Sequence, residues 1–257
     1  MAVWLRTVKF KKSGVFIAAL LLAAVLICCR YAYARYEERY ISTLSWVMAN
    51  KIIVIDPGHG GVDPGALGGS GAKEKDIVLE VSKKLADILR QSGAEVLLTR
   101  ENDRDLSDED LYNLYKSKVQ DLTRRVELAN QNNADIFISI HVNSFTDKRE
   151  KGAQTFSQPG SEESKKLAAA IQKELNNFLE NPGREAKQVD YFANRMTKMP
   201  SVIVEIGFIS NPGEEKLMLD PVYQNKIAWS IYAGAARYLV EASPAAARAG
   251  PEPEQTE

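Results

Sequence analysis

The chain has 257 residues, 45% of them apolar, and a formal net charge of −1. That length holds one medium domain with additions, and the apolar share suffices for a full core. Residues 1–50 carry seven Lys or Arg against two Glu, about +5, which leaves about −6 for the rest, and so acidic a body excludes the basic face of a nucleic-acid binder.

Residues 1–12 contain Arg6, Lys9, Lys11 and Lys12, and the stretch from Gly14 to Cys29 is apolar and uncharged. A basic start followed by such a stretch predicts an export signal. It is slightly short for a membrane span of about 20 residues. Tyr31-Ala32-Tyr33-Ala34 extends it, with Arg30 snorkelling to the interface. Ala32-Tyr33-Ala34 also resembles a signal-peptidase site. The expectation is an uncleaved anchor helix over 1–35, its positive flank in the cytoplasm and the rest of the chain outside. Cleavage would instead release a secreted protein. Residues 36–50 read as an amphipathic stalk, 51–241 as the folded domain, and the Pro-, Ala- and Glu-rich 242–257 as a disordered tail. Both cysteines, Cys28 and Cys29, lie in the apolar stretch. The exported part therefore has no disulfide, thiolate metal site or cysteine nucleophile, and any zinc there is held by His and carboxylate.

Within the domain, strand 51–55 leads into a Gly-rich loop, 56–72. A helix over 73–91 follows, with Ile77, Val78, Val81, Leu85, Ile88 and Leu89 at helical spacing and Gly93 as its stop. Next come strand 95–99, an acidic segment 101–111, a helix over 119–132 and strand 135–140. Residues 152–157 read as a further strand, 161–179 as a helix and 187–193 as an irregular edge strand. Strand 201–206 and a long helix, 221–240, close the domain. This alternation predicts an α/β fold: a single three-layer domain whose mostly parallel twisted sheet has helices on both faces.

The two histidines, His59 and His141, each follow an apolar run, Ile52-Ile53-Val54-Ile55 and Ile136-Phe137-Ile138-Ser139-Ile140. Alternating folds gather their sites where strands end, and imidazole is the commonest protein ligand for zinc. A catalytic zinc usually has three protein ligands and an open position, so the third here must be a carboxylate. Glu74, at the start of the first helix, is the best placed; its plainer reading is an acid favouring the helix N-terminus. Glu205 lies inside Val202-Ile203-Val204-Glu205-Ile206. Burial there raises its pKa toward the range of a general base, unless it is a core carboxylate satisfied by hydrogen bonds or an arginine. Together these residues suggest metal-assisted hydrolysis. The glycines of 58–71 are not followed by Gly-Lys-Ser/Thr, so the signal for a phosphate loop is weak; Gly60 and Gly61 are read as letting the backbone approach metal or substrate. Asn143 and Ser144 are read as turn formers, and Arg100 and Arg125 as members of internal pairs.

Four blocks then become recognisable: Asp56-Pro57-Gly58-His59-Gly60-Gly61, Glu74, Ser139-Ile140-His141-Val142-Asn143, and Pro200-Ser201-Val202-Ile203-Val204-Glu205-Ile206-Gly207-Phe208-Ile209-Ser210-Asn211. The chain resembles the zinc-dependent N-acetylmuramoyl-L-alanine amidases of the amidase-3 family over about 51–240. The resemblance implies one zinc held by His59, Glu74 and His141, with Glu205 as catalytic base. It also implies cleavage of the amide between N-acetylmuramic acid and the L-alanine of the stem peptide in peptidoglycan. The block Gly65-Ala66-Leu67-Gly68-Gly69 with Glu74-Lys75-Asp76-Ile77-Val78-Leu79-Glu80-Val81 is most similar to germination-specific members that act on spore cortex. Some family members carry a helix that blocks the site; segment 101–118 is short, so none is expected here, although a protein activator could still position the enzyme. The competing readings are a non-catalytic wall-binding module and a zinc peptidase or deacetylase.

Overall fold

The computed structural model describes residues 21–28, 30, 46–108, 113–179 and 183–243. Residues 21–28 are helical, and the rest of the expected anchor, the stalk before Trp46 and nearly all of the tail lie outside the described residues. Among the described residues no helix is long and apolar enough to cross a membrane. The chain divides into two units, Met1–Thr43 and Leu44–Glu257; the second carries the fold.

Its elements, in order, are β1 (Ile52–Pro57), α1 (Glu74–Gln91), β2 (Glu95–Leu98), α2 (Leu114–Gln131), β3 (Ile136–Asn143), β4 (Gln154–Ser157), α3 (Glu162–Phe178), β5 (Lys187–Gln188), α4 (Phe192–Met196), β6 (Ser201–Phe208), α5 (Pro212–Met218) and α6 (Pro221–Ala242). The six strands form one sheet in the order β2-β1-β3-β6-β4-β5. All neighbouring pairs are parallel except β4 with β6, as expected for a mostly parallel sheet. From β1 the chain moves outward to β2, then crosses back to place β3 on β1's other side. The ends of β1 and β3 therefore flank a topological switch point, where open α/β sheets bind ligands.

Period-two alternation sorts the strand side chains between two cores. Ile53, Ile55, Ile136, Ile138, Ile140, Val202 and Val204 join a large core with α1, α3 and α6, represented by Leu85, Ile171 and Ile231. On the opposite face Val54 and Phe137 pack against Ala129 of α2, with Ala193 of α4 at the margin. The layers are thus three, and unequal. Asp56, Ser139, His141 and Glu205 alternate onto the thinner face, which leaves room there for chemistry.

Several boundaries differ from expectation. Helix α2 begins at Leu114 rather than near 119: Asn113 caps it, its side chain accepting from the Lys116 N–H. Leu114 and Tyr115 are exposed, so this first turn has no apolar stripe to announce it. The edge strand expected over 187–193 shrinks to Lys187–Gln188, and Tyr191 instead stands at the N-cap of the short α4. Helix α5 was not expected, although Asn211 and Pro212 supply a recognisable start: the Asn211 carboxamide accepts from the Gly213 and Glu214 N–H groups. Strand β3 continues through His141 to Asn143, so this histidine belongs to the sheet and not to a loop after it.

Candidate metal centre and active site

The site grows from the end of β1. After Pro57 the chain turns sharply: His59 is left-handed at φ 60°, followed by Gly60 at 128° and Gly61 at 57°. A non-glycine residue there is strained by about 1–2 kcal/mol, and two buried arginines hold it. Arg125 of α2 donates to the carbonyls of Pro57 at 2.8 Å and His59 at 2.7 Å. Arg100 donates to Pro57 at 2.9 Å, Gly58 at 2.8 Å and Lys75 at 2.8 Å. Arg125 is balanced by Asp56 and Asp121, each at 2.9 Å. Asp56 also accepts from Thr99 and Ser139, both at 2.7 Å. Burial by itself would raise the Asp56 pKa, but Arg125 and the two hydroxyls outweigh it and hold the carboxyl below its usual range. The expected internal pairing of Arg125 is therefore real, and it also anchors two carbonyls of the histidine turn, those of Pro57 and His59.

Glu74 is the first residue of α1 and is buried. Its side chain turns back over the strand ends. Oε2 accepts from the Ala66 N–H at 2.8 Å and Oε1 from the Val142 N–H at 2.8 Å. Oε1 also lies 3.2 Å from His59 Nε2 and 3.1 Å from His141 Nδ1. Although burial favours the neutral acid, both imidazoles press the other way, and Glu74 is held far below the ordinary carboxylate range. Helix-end electrostatics alone would not aim this side chain at two imidazoles.

Ligand atoms of His59, Glu74 and His141 all lie within 4.8 Å of one another. Ligands about 2.0–2.1 Å from a tetrahedral zinc are separated by about 3.3 Å, close to the two contacts to Glu74. The donor set, two imidazoles and one carboxylate with no thiolate, fits a catalytic zinc site with one position left for water. His59 and His141 side chains keep 19% and 25% exposure, so solvent reaches them. Burial lowers the His59 pKa, but Glu74 and Asp63 outweigh it and raise it overall.

Glu205 stands opposite His141 in the β3–β6 register. Its Oε2 is buried with no hydrogen-bond partner. Among the described residues no arginine satisfies it, which removes the plainer reading of a paired core carboxylate. Burial pushes Glu205 up to about 7; His141 draws it down, while the Glu74 charge pushes it further up.

Two glycines make the cluster compact. A Cβ on Gly58 would overlap the His141 ring, and one on Gly65 would fall 2.6 Å from Glu74 Oε2 and 2.8 Å from His59 Cδ2. The close approach expected of Gly60 and Gly61 is instead to residues 100–105: their Cβ atoms would meet Arg104 and Asp105. Asn143 accepts from its neighbour Ser144 N–H at 2.8 Å, as turn chemistry predicts. Among the described residues, 101–108 contain no helix, and Asp103 ties this segment to Gly61 N–H and to Lys75 at 2.7 Å.

Asp56 and Asp63 also belong to this site, although neither is marked by a metal-ligand pattern in the sequence. Asp56 could have been found by the argument used for Glu205, an acid at the end of an apolar strand. Asp63 lies four residues after His59, and its Oδ2 is 2.9 Å from His59 Nδ1.

Two imidazoles and two carboxylates at the switch point of a parallel sheet define an α/β enzyme with a candidate metal centre. The chain belongs to the Amidase_3 family of N-acetylmuramoyl-L-alanine amidases, which matches residues 53–237. It is 40% identical over 223 residues to the germination-specific N-acetylmuramoyl-L-alanine amidase of Bacillus subtilis (strain 168), covering 86% of this chain and 93% of that one. It is 30% identical to N-acetylmuramoyl-L-alanine amidase AmiA of Escherichia coli (strain K12), covering 74% and 76%. Among solved structures, the CwlD amidase from Clostridioides difficile in complex with the GerS lipoprotein superposes with a TM-score of 0.72 at 41% identity, covering 74% of this chain and 98% of that one.

Proposed function

We propose that this enzyme hydrolyses the amide between N-acetylmuramic acid and the L-alanine of the stem peptide in bacterial peptidoglycan, with spore cortex as its natural substrate. The observation that carries the reading is the convergence of His59 Nε2, His141 Nδ1 and Glu74 Oε1 beside the partnerless Glu205 Oε2. The similarity to a germination-specific amidase supports the cortex assignment.

In this reading His59, Glu74 and His141 hold one zinc ion. When bound, zinc supplies a Lewis acid that polarises the substrate carbonyl and lowers the pKa of water. Glu205 takes the proton of the attacking water and returns it to the leaving alanine nitrogen. A base with a pKa near the working pH does both steps well, and burial supplies that value. The neutral imidazoles leave net positive charge at the site, which favours a developing oxyanion. Arg100 and Arg125 hold the histidine turn, so the ligand geometry exists before substrate arrives.

Residues 1–35 serve as export signal and membrane anchor, 36–50 as stalk and 242–257 as tail, which places the catalytic domain, 51–241, outside the cytoplasm. A protein partner that positions the enzyme is compatible with this layout, as the lipoprotein complex of the C. difficile relative illustrates.

Mass spectrometry of peptidoglycan digested by the purified chain tests the reaction. The expected products are free stem peptides with N-terminal alanine and muramic acid without peptide. Released acetate or severed cross-links would mean a deacetylase or a peptidase, and intact peptidoglycan would mean a binding module.

A further inference from the structure

The two histidines face the candidate metal through different nitrogens. His59 presents Nε2 and His141 presents Nδ1 to the same Glu74 oxygen. A neutral imidazole carries one proton, and the nitrogen that binds a metal must be the bare one. His59 therefore needs an acceptor at Nδ1, and Asp63 Oδ2 is there at 2.9 Å. Its other oxygen, Oδ1, accepts from the Gly65 N–H at 3.0 Å. Lys118 of α2 approaches the Oδ2 side at 3.5 Å. The Asp63 carboxylate is thus fixed from three directions, in the turn that carries His59.

We propose that Asp63 is a positioning residue of the metal centre: by accepting the Nδ1 proton of His59 it commits Nε2 to the ion. This rests on the reading that His59, Glu74 and His141 bind zinc. Carboxylates behind metal-bound imidazoles are worth about 10–100-fold in metal affinity. Both Asp63 oxygens are used as acceptors, and an asparagine offers only one. Asp63→Asn must therefore give up either the Gly65 N–H or the correct His59 tautomer. A role confined to the turn would change stability and leave zinc affinity alone.

The test uses the full chain, zinc(II) as probe and a competing chelator of known affinity. In Asp63→Ala and Asp63→Asn, zinc affinity is expected to fall about 10–100-fold. Nitrogen-15 spectra of the zinc-loaded protein are readable ring by ring, because the chain has only two histidines. One ring is expected to be protonated at Nδ1 and the other at Nε2, and Asp63→Asn should perturb the first. Affinity within threefold of the unaltered chain in both variants, or two rings both protonated at Nε2, would overturn the role of Asp63 while leaving the metal centre standing. An unaltered chain that takes up no zinc would overturn the centre itself, and this role with it.

Discussion

His141 of β3 and Glu205 of β6 are direct partners across the parallel ladder, with their side chains on the same face of the sheet. As the proposed ligand and base, two side chains on rigid strands are held more tightly than two loop residues could be. The ladder also sets the roles apart. His141 meets Glu74 at 3.1 Å, whereas Glu205 keeps an enclosed oxygen with nothing to bind.

Glu205→Gln keeps the shape and removes the base. Turnover should fall at least ~10²-fold with zinc content unchanged. The unaltered enzyme should lose activity as acid protonates Glu205, whose value burial lifts to about 7. A bound cation adds a positive charge beside it and draws that value down, so the acid limb lies at or below about 7. Assays of kcat/KM against pH, paired with metal analysis, check both statements. Unchanged turnover in the glutamine variant would remove Glu205 from the mechanism.

Gly58→Ala is the sharpest test of packing at the centre. Gly58 does not have a positive φ, so the added methyl carries no backbone strain of its own. Its Cβ overlaps the His141 ring. The ring must move, and with it Nδ1. Zinc affinity should drop while far-ultraviolet circular dichroism stays native. Gly58→Ala with full affinity would mean that the ring has somewhere else to go.

Asp56 links stability to pH. Its carboxyl is held below the ordinary value of 3.8, so its contribution is fully present above that value. It is lost as pH falls through the depressed folded value. Asp56→Asn breaks a buried pair with Arg125, a change that costs about 3–5 kcal/mol. The gap between unaltered and variant stability should be full at pH 7 and narrow on acidification. Denaturant melts at several pH values measure it, and a gap that does not change with pH would contradict the pairing.

Chelation separates fold from function. The two cores are apolar and contain none of His59, Glu74, His141 or Glu205. Stripping the metal should abolish turnover without unfolding the domain, and added zinc should restore it. A domain that melts on chelation would instead place the metal among the structural supports.

Much of this was legible in the sequence because the site residues interrupt strong local patterns. Each histidine ends an apolar run, and Glu205 breaks one. Apolar runs are read by periodicity alone, so the strands and the histidines at or just past their ends are read together. What stayed hidden depends on distant pairing. Arg125 reaches back across 66 positions to the His59 carbonyl, and nothing local marks that. The short α4 and α5 bury few side chains, so their periodicity is too brief to register. The two-residue β5 is defined by its partner β4, not by its own residues.

The metal content of the purified full chain, compared with that of His59→Ala, Glu74→Gln and His141→Ala, bears most directly on all of this. One zinc per chain in the unaltered protein, lost in each variant while circular dichroism stays native, is the predicted result. Zinc retained at full stoichiometry after removal of either imidazole would contradict the shared site and the hydrolytic chemistry built on it.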